Sequence, residues 1–193
     1  ALLRAHWGHL RGALFRDDLS NQLVIDTVSL NAQRAKNLGS SEIVGYEADL
    51  GLRWRSWSAD LSAMQMKAVD AQGRVIPRLP QRRSALRLGF DDGTWFFDWT
   101  TRHRGRVYRD VLNQLELPQV VIHNAGFGFR TDGEHGRWQW KVDVYNVSNT
   151  LYVPIERSSE EGRTPYTDVE GYPMPGREFV ASLVWSTTSS SSR

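Results

Sequence analysis

The sequence predicts an all-β protein, in which about eight antiparallel strands belong to a transmembrane β-barrel. Three observations lead to this fold class. Apolar and polar residues alternate with period two in successive segments, short and long connections alternate along the chain, and tryptophans collect beside the short connections. We assign residues 1–185 to the barrel and the Ser/Thr-rich residues 186–193 to a disordered tail.

The composition excludes several classes of protein. Of the 193 residues, 40% are hydrophobic and 24% are charged, which is enough apolar material for a folded domain. The net charge of +2 is too small to point to a nucleic-acid partner, and the absence of cysteine excludes disulfides and thiolate metal sites. No apolar run approaches the roughly 20 residues that a membrane helix needs.

The first third of the chain contains the clearest strand. We expect a turn around Trp7 and Gly8, one long extended segment over residues 11–27, and then a long polar loop over residues 31–41. In the next strand, residues 43–54, one face is wholly apolar and the other carries Glu47, Asp49 and Arg53. Alternation of this kind is typical of a strand with different surroundings on its two faces.

The rest of the chain repeats this pattern. The further predicted strands are residues 57–63, 83–90, 95–102, 121–129, 138–144 and 172–185. Short connections rich in Asp and Gly, at residues 91–94 and 131–136, favour tight hairpin turns. Long connections follow at residues 70–80, 103–118 and 154–171.

The alternation of connection lengths gives the strands an orientation. Bacterial outer-membrane barrels have short periplasmic turns and long outer loops, so the short turns are expected on the periplasmic side. Six of the eight tryptophans lie at that level. We predict that Trp7 lies in the first turn and that five others form a membrane-interface girdle: Trp54, Trp57, Trp95, Trp138 and Trp185. A soluble sandwich, the alternative for an amphipathic strand such as 172–185, provides no reason for a common level.

Five segments, which cover nearly the whole chain, resemble motifs of the TonB-dependent transporters of Gram-negative outer membranes. In order they read FRDDLSNQLVID, IVGYEADLGLRW, IPRLPQRRSALRLGF, VDVYNVSNTLYVPI and YPMPGREFVASLVW. The resemblance implies a barrel of about twenty-two strands with a plug domain in its lumen, of which this chain forms the C-terminal part. It also implies location in the outer membrane, with lipid and lipopolysaccharide as neighbours.

The missing strands leave three arrangements open. The chain is a fragment, one chain of a split transporter that another polypeptide completes with strands and a plug, or a self-closed barrel of about eight strands. We favour completion by another polypeptide, because an isolated part of a barrel exposes two edges. Inside a self-closed barrel the inward charges would pair with one another, and they would equally suit the lining of a wet lumen: Glu47, Asp49, Arg53, Asp98 and Arg102.

The resemblance implies a transport function rather than an enzyme, with no cofactor. The expected activity is uptake of a scarce nutrient, such as a ferric siderophore or cobalamin, driven indirectly by the TonB system. The alternative is a structural or surface barrel without transport. Ligand contacts are expected in the Arg-rich outer loop at Arg104, Arg106, Tyr108 and Arg109, because guanidinium groups bind carboxylates and phosphates bidentately. These arginines could instead contact lipopolysaccharide phosphates or solvate the rim.

Two other sequence patterns do not indicate a binding or catalytic site. His6 and His9 are three residues apart and would point to opposite faces of a strand, so no metal site is expected there. Gly126 and Gly128 stand inside an alternating segment, where close backbone or aromatic packing is a better explanation than a phosphate loop.

Overall fold

The computed structural model describes residues 2–29, 32–133, 136–152 and 176–187. Nine antiparallel strands form its main sheet, in this order across the sheet: β1 (Leu2–Ala5), β2 (Gly8–Ser20), β5 (Ser40–Trp54), β6 (Trp57–Asp70), β7 (Arg82–Asp91), β8 (Trp95–Arg104), β11 (Val120–Gly133), β12 (Gly136–Tyr145) and β13 (Glu178–Ser186). The described residues contain no helix that is long and apolar enough to cross a membrane.

The predicted all-β architecture is confirmed, with nine strands in the sheet rather than about eight. The additional strand is β1, which pairs with β2 across the turn expected at Trp7. Within the described residues, β1 and β13 form the two edges of the sheet and do not pair with each other. The sheet is therefore an open part of a barrel wall and not a self-closed ring.

Two predictions for the first third of the chain were wrong. The extended segment over residues 11–27 is interrupted after Ser20, because Asn21 adopts a left-handed conformation with φ of 56°. The expected polar loop is largely a second hairpin, formed by β3 (Leu23–Ser29) and β4 (Ala32–Asn37). These two strands pair only with each other, so their hydrogen bonds lie outside the main sheet.

The other long connections differ in how much is described. The connection over residues 103–118 contains a small hairpin, β9 (Val107–Tyr108) and β10 (Glu116–Leu117), which alternation alone did not reveal. The connection predicted over residues 154–171 lies outside the described residues, as do tail residues 188–193. Strand β13 continues to Ser186, one residue beyond the predicted limit.

The strand register aligns the apolar residues into rows on one face of the sheet. One row runs from Leu10 through Leu50 and Leu61 to Leu86 on β2, β5, β6 and β7. An aromatic row lies nearer the short turns and consists of Trp57, Phe90, Phe97 and Phe127. We call this the apolar face, and many of its large side chains are half exposed.

The opposite face, which we call the inner face, carries ion pairs. Arg53 meets Asp60 with an N–O distance of 3.0 Å, and Arg11 meets Glu47 at 3.6 Å. Lys141 contacts Asp98 at 3.1 Å and Asp143 at 2.7 Å. Of the five charges predicted to face inward, Glu47, Arg53 and Asp98 are paired within this wall, while Asp49 and Arg102 have no ionic partner among the described residues.

Gly126 and Gly128 both make close contacts on the inner face, but the predicted backbone and aromatic packing is found at Gly128, whereas carboxylates cover Gly126. A Cβ atom at Gly126 would lie 2.6 Å from carboxylate oxygens of both Asp98 and Asp143. A Cβ atom at Gly128 would collide with the ring of Phe96 and with a backbone oxygen. Glycine is therefore needed on β11 because neighbouring side chains cover its backbone.

A small hydrophobic core lies at the outer end of the sheet, where the long connections begin. Leu38, Ala68, Ile76 and Val111 are buried there, and they join β6 to the β3–β4 hairpin and to the two following connections. The carboxylate of Asp26, which is 5% exposed, accepts a hydrogen bond from the backbone N–H of Val111 at 3.1 Å. The hairpin β3–β4 and the two connections that follow β6 and β8 thus form a packed structure above the sheet.

Candidate functional site

The inner face contains a concave site of about 750 Å³ near its outer end. Strands β7 and β8 contribute the cationic side of this outer cavity. Aromatic and amide groups come from β11, β12 and the segment after β12. The residues that bear on its chemistry are Arg83, Arg102, Arg104, Asn124, Tyr145 and Tyr152. The volume lies within the range of roughly 300–1,000 Å³ that is usual for small-molecule sites.

Strand register brings the three arginines together. Arg83 and Arg104 lie directly opposite each other on β7 and β8, and Arg102 lies two residues from Arg104 on the same face. Like charges in directly opposite positions destabilise a sheet, so an anion between them would be favourable. Arg104 also donates a hydrogen bond to the carbonyl oxygen of Pro118 at 2.9 Å, which fixes its guanidinium at the cavity wall.

Carboxylates flank the cationic side of the outer cavity. Glu47 and Asp49 lie on β5, and Glu178 lies at the start of β13. The cavity therefore contains three guanidinium groups and three carboxylates in its lining. Its formal charge is balanced, although the positive groups lie together on two adjacent strands.

An asparagine cluster holds the far wall of the outer cavity. The backbone N–H of Asn146 donates to the side-chain oxygen of Asn124 at 2.9 Å, and the amide of Asn146 exchanges two hydrogen bonds with the backbone of Thr150, both of 2.9 Å. Asn146 is 5% exposed and left-handed, with φ of 50°. This bend places Tyr152 in the lining of the cavity, near Arg104.

The four outer-loop residues predicted to bind a ligand do not come together. Only Arg104 lines the outer cavity. Arg106 is not part of that lining and pairs with Glu116 at 3.7 Å, while Arg109 is only 8% exposed. The backbone oxygen of Tyr108 accepts a hydrogen bond from Arg78 at 2.7 Å.

The sequence interpretation did not assign Tyr145, Tyr152 and Asn124 to a site. Their positions are separated in sequence from Arg83 and Arg104, and they converge only through the pairing of β8 with β11 and of β11 with β12. The alternation of polar and apolar residues could have pointed to Asn124. Like Arg102 and Arg104, it occupies a polar position in a strand whose other face is apolar.

The tryptophans of the predicted girdle all stand on the apolar face beside short turns. Trp54 pairs directly with Trp57, and Trp138 pairs with Trp185. Trp95 begins β8, and its ring centroid lies 5.6 Å from that of Phe127. All five side chains are between 40% and 65% exposed, which leaves their rings available to an external apolar medium.

Metal-binding groups are not found in the described ranges. No three His, Asp or Glu side chains come together there in an arrangement that could hold a metal ion. His6 lies in the β1–β2 turn, and the ring of His9 covers Gly51 on the inner face.

Comparison with known families decides the classification. The family described as TonB dependent receptor-like, beta-barrel matches residues 3–147. The chain belongs to this family. TonB-dependent receptors are transport receptors of the Gram-negative outer membrane and not enzymes. No match to the sequence was found among curated proteins.

Solved structures of TonB-dependent receptors share the fold. The siderophore receptor PiuA from Acinetobacter baumannii has a TM-score of 0.68 at 17% identity, over 92% of this chain and 26% of its own. BauA, the ferric preacinetobactin receptor from the same species, has a TM-score of 0.71 at 12% identity, over 95% and 28%. The copper transporter OprC has a TM-score of 0.69 at 14% identity, over 94% and 28%. The chain thus spans only about a quarter of the length of these proteins.

Proposed function

We propose that this chain forms part of the wall of an outer-membrane receptor that takes up a scarce nutrient with energy from the TonB system. The family match supports this proposal, and the open sheet supports completion of the barrel by further strands. A plug domain and these strands are the expected partners, on the same or on a separate polypeptide. Candidate cargoes are a ferric siderophore, cobalamin or a similar metal chelate.

The apolar face has dimensions that suit a membrane. On β5, Trp54 comes eight positions after Tyr46, so the two residues are about 27 Å apart along the strand. At the usual tilt of barrel strands, this distance spans about 20 Å of the bilayer. We infer that the tryptophan girdle lies at the periplasmic interface and that Tyr46 lies near the outer one. Beyond Tyr46, Arg16 and Lys67 occupy the same face at the level expected for lipopolysaccharide phosphates.

The outer cavity is the proposed ligand site. Three guanidinium groups and the side chains of Tyr145 and Tyr152 line it, which suits an anionic chelate with flat organic groups. The single observation that carries this assignment is the direct opposition of Arg83 and Arg104, with Arg102 beside them on the inner face. Arg106 and Arg109 are assigned to the outer connection and not to the ligand.

Uptake by cells tests this proposal. The full-length protein that contains this chain is expressed with Arg102→Ser, and uptake of a panel of ferric siderophores and cobalamin is measured against concentration. Loss of one charge-assisted contact is expected to raise the half-saturating concentration of the cargo about 10- to 100-fold. Arg106→Ser is the matched control, since this arginine is exposed immediately before β9 and is not part of the cavity lining. If uptake is unchanged in Arg102→Ser and reduced in Arg106→Ser, the outer cavity is not the ligand site and the ligand contacts lie in the outer loop.

A further inference from the structure

A small cleft adjoins the outer cavity, between the start of β11 and the segment that follows β12. Its volume is about 160 Å³. Arg104, Val120 and Tyr152 line both this side cleft and the outer cavity, so the two spaces meet at these residues. The remaining lining of the side cleft is Leu117, Pro118, Gln119, Thr150 and Leu151. The side cleft is therefore a lateral extension of the proposed ligand site.

Aliphatic side chains form much of the wall of the side cleft. Leu117 lies at the end of β10, and Val120 begins β11 directly opposite Arg104. Leu151 follows the asparagine cluster, and its side chain is 71% exposed. A single exposed leucine is common on a protein surface, but this one lines a concave space together with other apolar groups. Such a surface gains free energy when an apolar group of a ligand covers it.

Hydrogen bonds fix both sides of the side cleft. On one side Arg104 donates to the carbonyl oxygen of Pro118 at 2.9 Å, which ties β8 to the residues that precede β11. On the other side the Asn146 amide exchanges two hydrogen bonds with the backbone of Thr150, and the hydroxyl groups of Ser148 and Thr150 lie 2.9 Å apart. The side cleft is thus largely formed before a ligand arrives, which reduces the entropy lost on binding.

The volume of the side cleft determines what it can hold. Complete small-molecule sites measure roughly 300–1,000 Å³, so a whole metal chelate does not fit. An apolar cavity of roughly 150 Å³ accepts one benzene molecule, and the side cleft has about this volume. It therefore suits a single ring, or a short branched alkyl group, that is attached to a larger ligand.

The neighbouring charges determine the chemistry of the rest of that ligand. Arg104 lies where the side cleft meets the outer cavity, and Arg83 lies directly opposite it on β7. The lining of the side cleft contains no carboxylate, whereas Glu47, Asp49 and Glu178 line the outer cavity. An anionic group in the outer cavity can meet the guanidinium groups while an attached apolar group occupies the side cleft.

We propose that the side cleft binds an apolar substituent of the transported ligand, about the size of a phenyl ring, while the anionic part of the same ligand lies in the outer cavity. The inference rests on the proposed function, because it divides the proposed ligand site into two subsites. Membrane lipid does not compete for the side cleft, since Arg104 and Val120 lie on the inner face and lipid contacts the apolar face. The side cleft thus favours amphipathic chelates over wholly polar ones of equal charge.

Binding of two phosphonates to the purified full-length protein in lipid nanodiscs tests this subsite. Phenylphosphonate and methylphosphonate carry the same anionic group but differ in the size of the apolar one. Dissociation constants are measured by saturation-transfer NMR titration. We expect phenylphosphonate to bind about 10- to 100-fold more tightly, because the side cleft removes its ring from water.

Two leucine variants locate the bound ring. Leu151→Asn replaces an apolar wall of the side cleft and should lower the preference for phenylphosphonate about tenfold. The fold should tolerate this change, because the side chain is 71% exposed. Leu112→Asn is the matched control, since Leu112 is 55% exposed and is not part of the cleft lining. This variant should keep the full preference.

The outcomes separate the subsite from the transport function. A preference that falls in Leu151→Asn and persists in Leu112→Asn supports the subsite even if cells take up no nutrient, which would contradict the proposed function alone. Equal affinities for the two phosphonates, or no binding of phenylphosphonate, overturn the subsite, while uptake that depends on Arg102 would still support the proposed function. A preference that survives in Leu151→Asn, or falls equally in both variants, also overturns the subsite, because the ring then binds elsewhere.

Discussion

Trp138 and Trp185 lie directly opposite each other on β12 and β13, and their ring centroids are 6.1 Å apart. The pair stands on the apolar face beside the β11–β12 turn, where β13 has β12 as its only neighbour in the described sheet. Two large aromatic rings therefore fix the end of an edge strand. The indole nitrogen of Trp185 also lies near Gly136, where a Cβ atom would be 2.8 Å away.

Trp185→Ser should weaken the attachment of β13. Loss of an aromatic pair is expected to cost about 0.5–1.5 kcal/mol beyond the lost apolar area. The measurement is the midpoint of heat-modifiable gel mobility of the full-length protein in outer-membrane extracts. Trp185→Phe is the control and should keep most of the stability, since it retains a ring. Equal midpoints for the Ser variant and the natural protein would show that the pair does not hold the strand.

Gly128→Ala should destabilise the wall strongly. The new methyl group would meet the ring of Phe96 and the backbone oxygen of Trp140, and overpacking of this kind costs about 1–3 kcal/mol. Gly12→Ala on β2 is the matched control, because its Cβ atom would meet nothing closer than 3.9 Å. Urea denaturation of the folded barrel in detergent compares the two. A similar midpoint for both variants would contradict the close packing seen at Gly128.

Lys141→Met should reduce stability because it leaves two carboxylates together. Lys141 on β12 contacts Asp98 on β8, across the intervening β11, and Asp143 two residues further along its own strand. All three groups keep some solvent contact, so we expect a loss of about 1–2 kcal/mol in the free energy of unfolding. Lys67→Met, on the apolar face and without an ionic partner among the described residues, is the control and should change little. The double variant Lys141→Met with Asp98→Asn should recover part of the loss, and failure to do so would argue against the ion pairs as its cause.

Asp26→Ala should loosen the β3–β4 hairpin. The carboxylate of Asp26 is the hydrogen-bond acceptor for the N–H of buried Val111, and Arg34 approaches it at 3.5 Å. Loss of a buried acceptor leaves that N–H unsatisfied, at a cost of about 1–3 kcal/mol. We expect faster cleavage of the β3–β4 hairpin when intact cells are treated with a protease. Asp17→Ala, at an exposed position on β2, is the control and should leave the cleavage rate unchanged. Equal rates for the two variants would show that the hydrogen bond between Asp26 and Val111 does not hold the hairpin in place.

The alternation of apolar and polar residues was sufficient to predict most strands of the sheet, because the face on which a side chain lies depends only on local strand geometry. A residue such as Leu50 or Trp138 occupies a face that is set by its parity within its own strand, so the apolar rows could be predicted without knowledge of the partner strands. The short turns carry Asp and Gly at positions that favour hairpins, so their places could also be predicted. The hairpin β3–β4 was missed because a single left-handed residue, Asn21, redirects the chain, and residue type alone does not determine that conformation.

The sequence by itself determined the fold class, the level of the tryptophans and the family resemblance, since all three depend on residue order along one strand or one motif. Only the tertiary structure decided which charges act together. Arg83, Arg102 and Arg104 meet through the register of β7 with β8, while Arg106 pairs with Glu116 and Arg109 is buried. Asp60 lies opposite Arg87 but binds Arg53. Such pairings depend on the hydrogen-bond register between strands and on how far each side chain reaches. The spacing of residues along the chain determines neither of these.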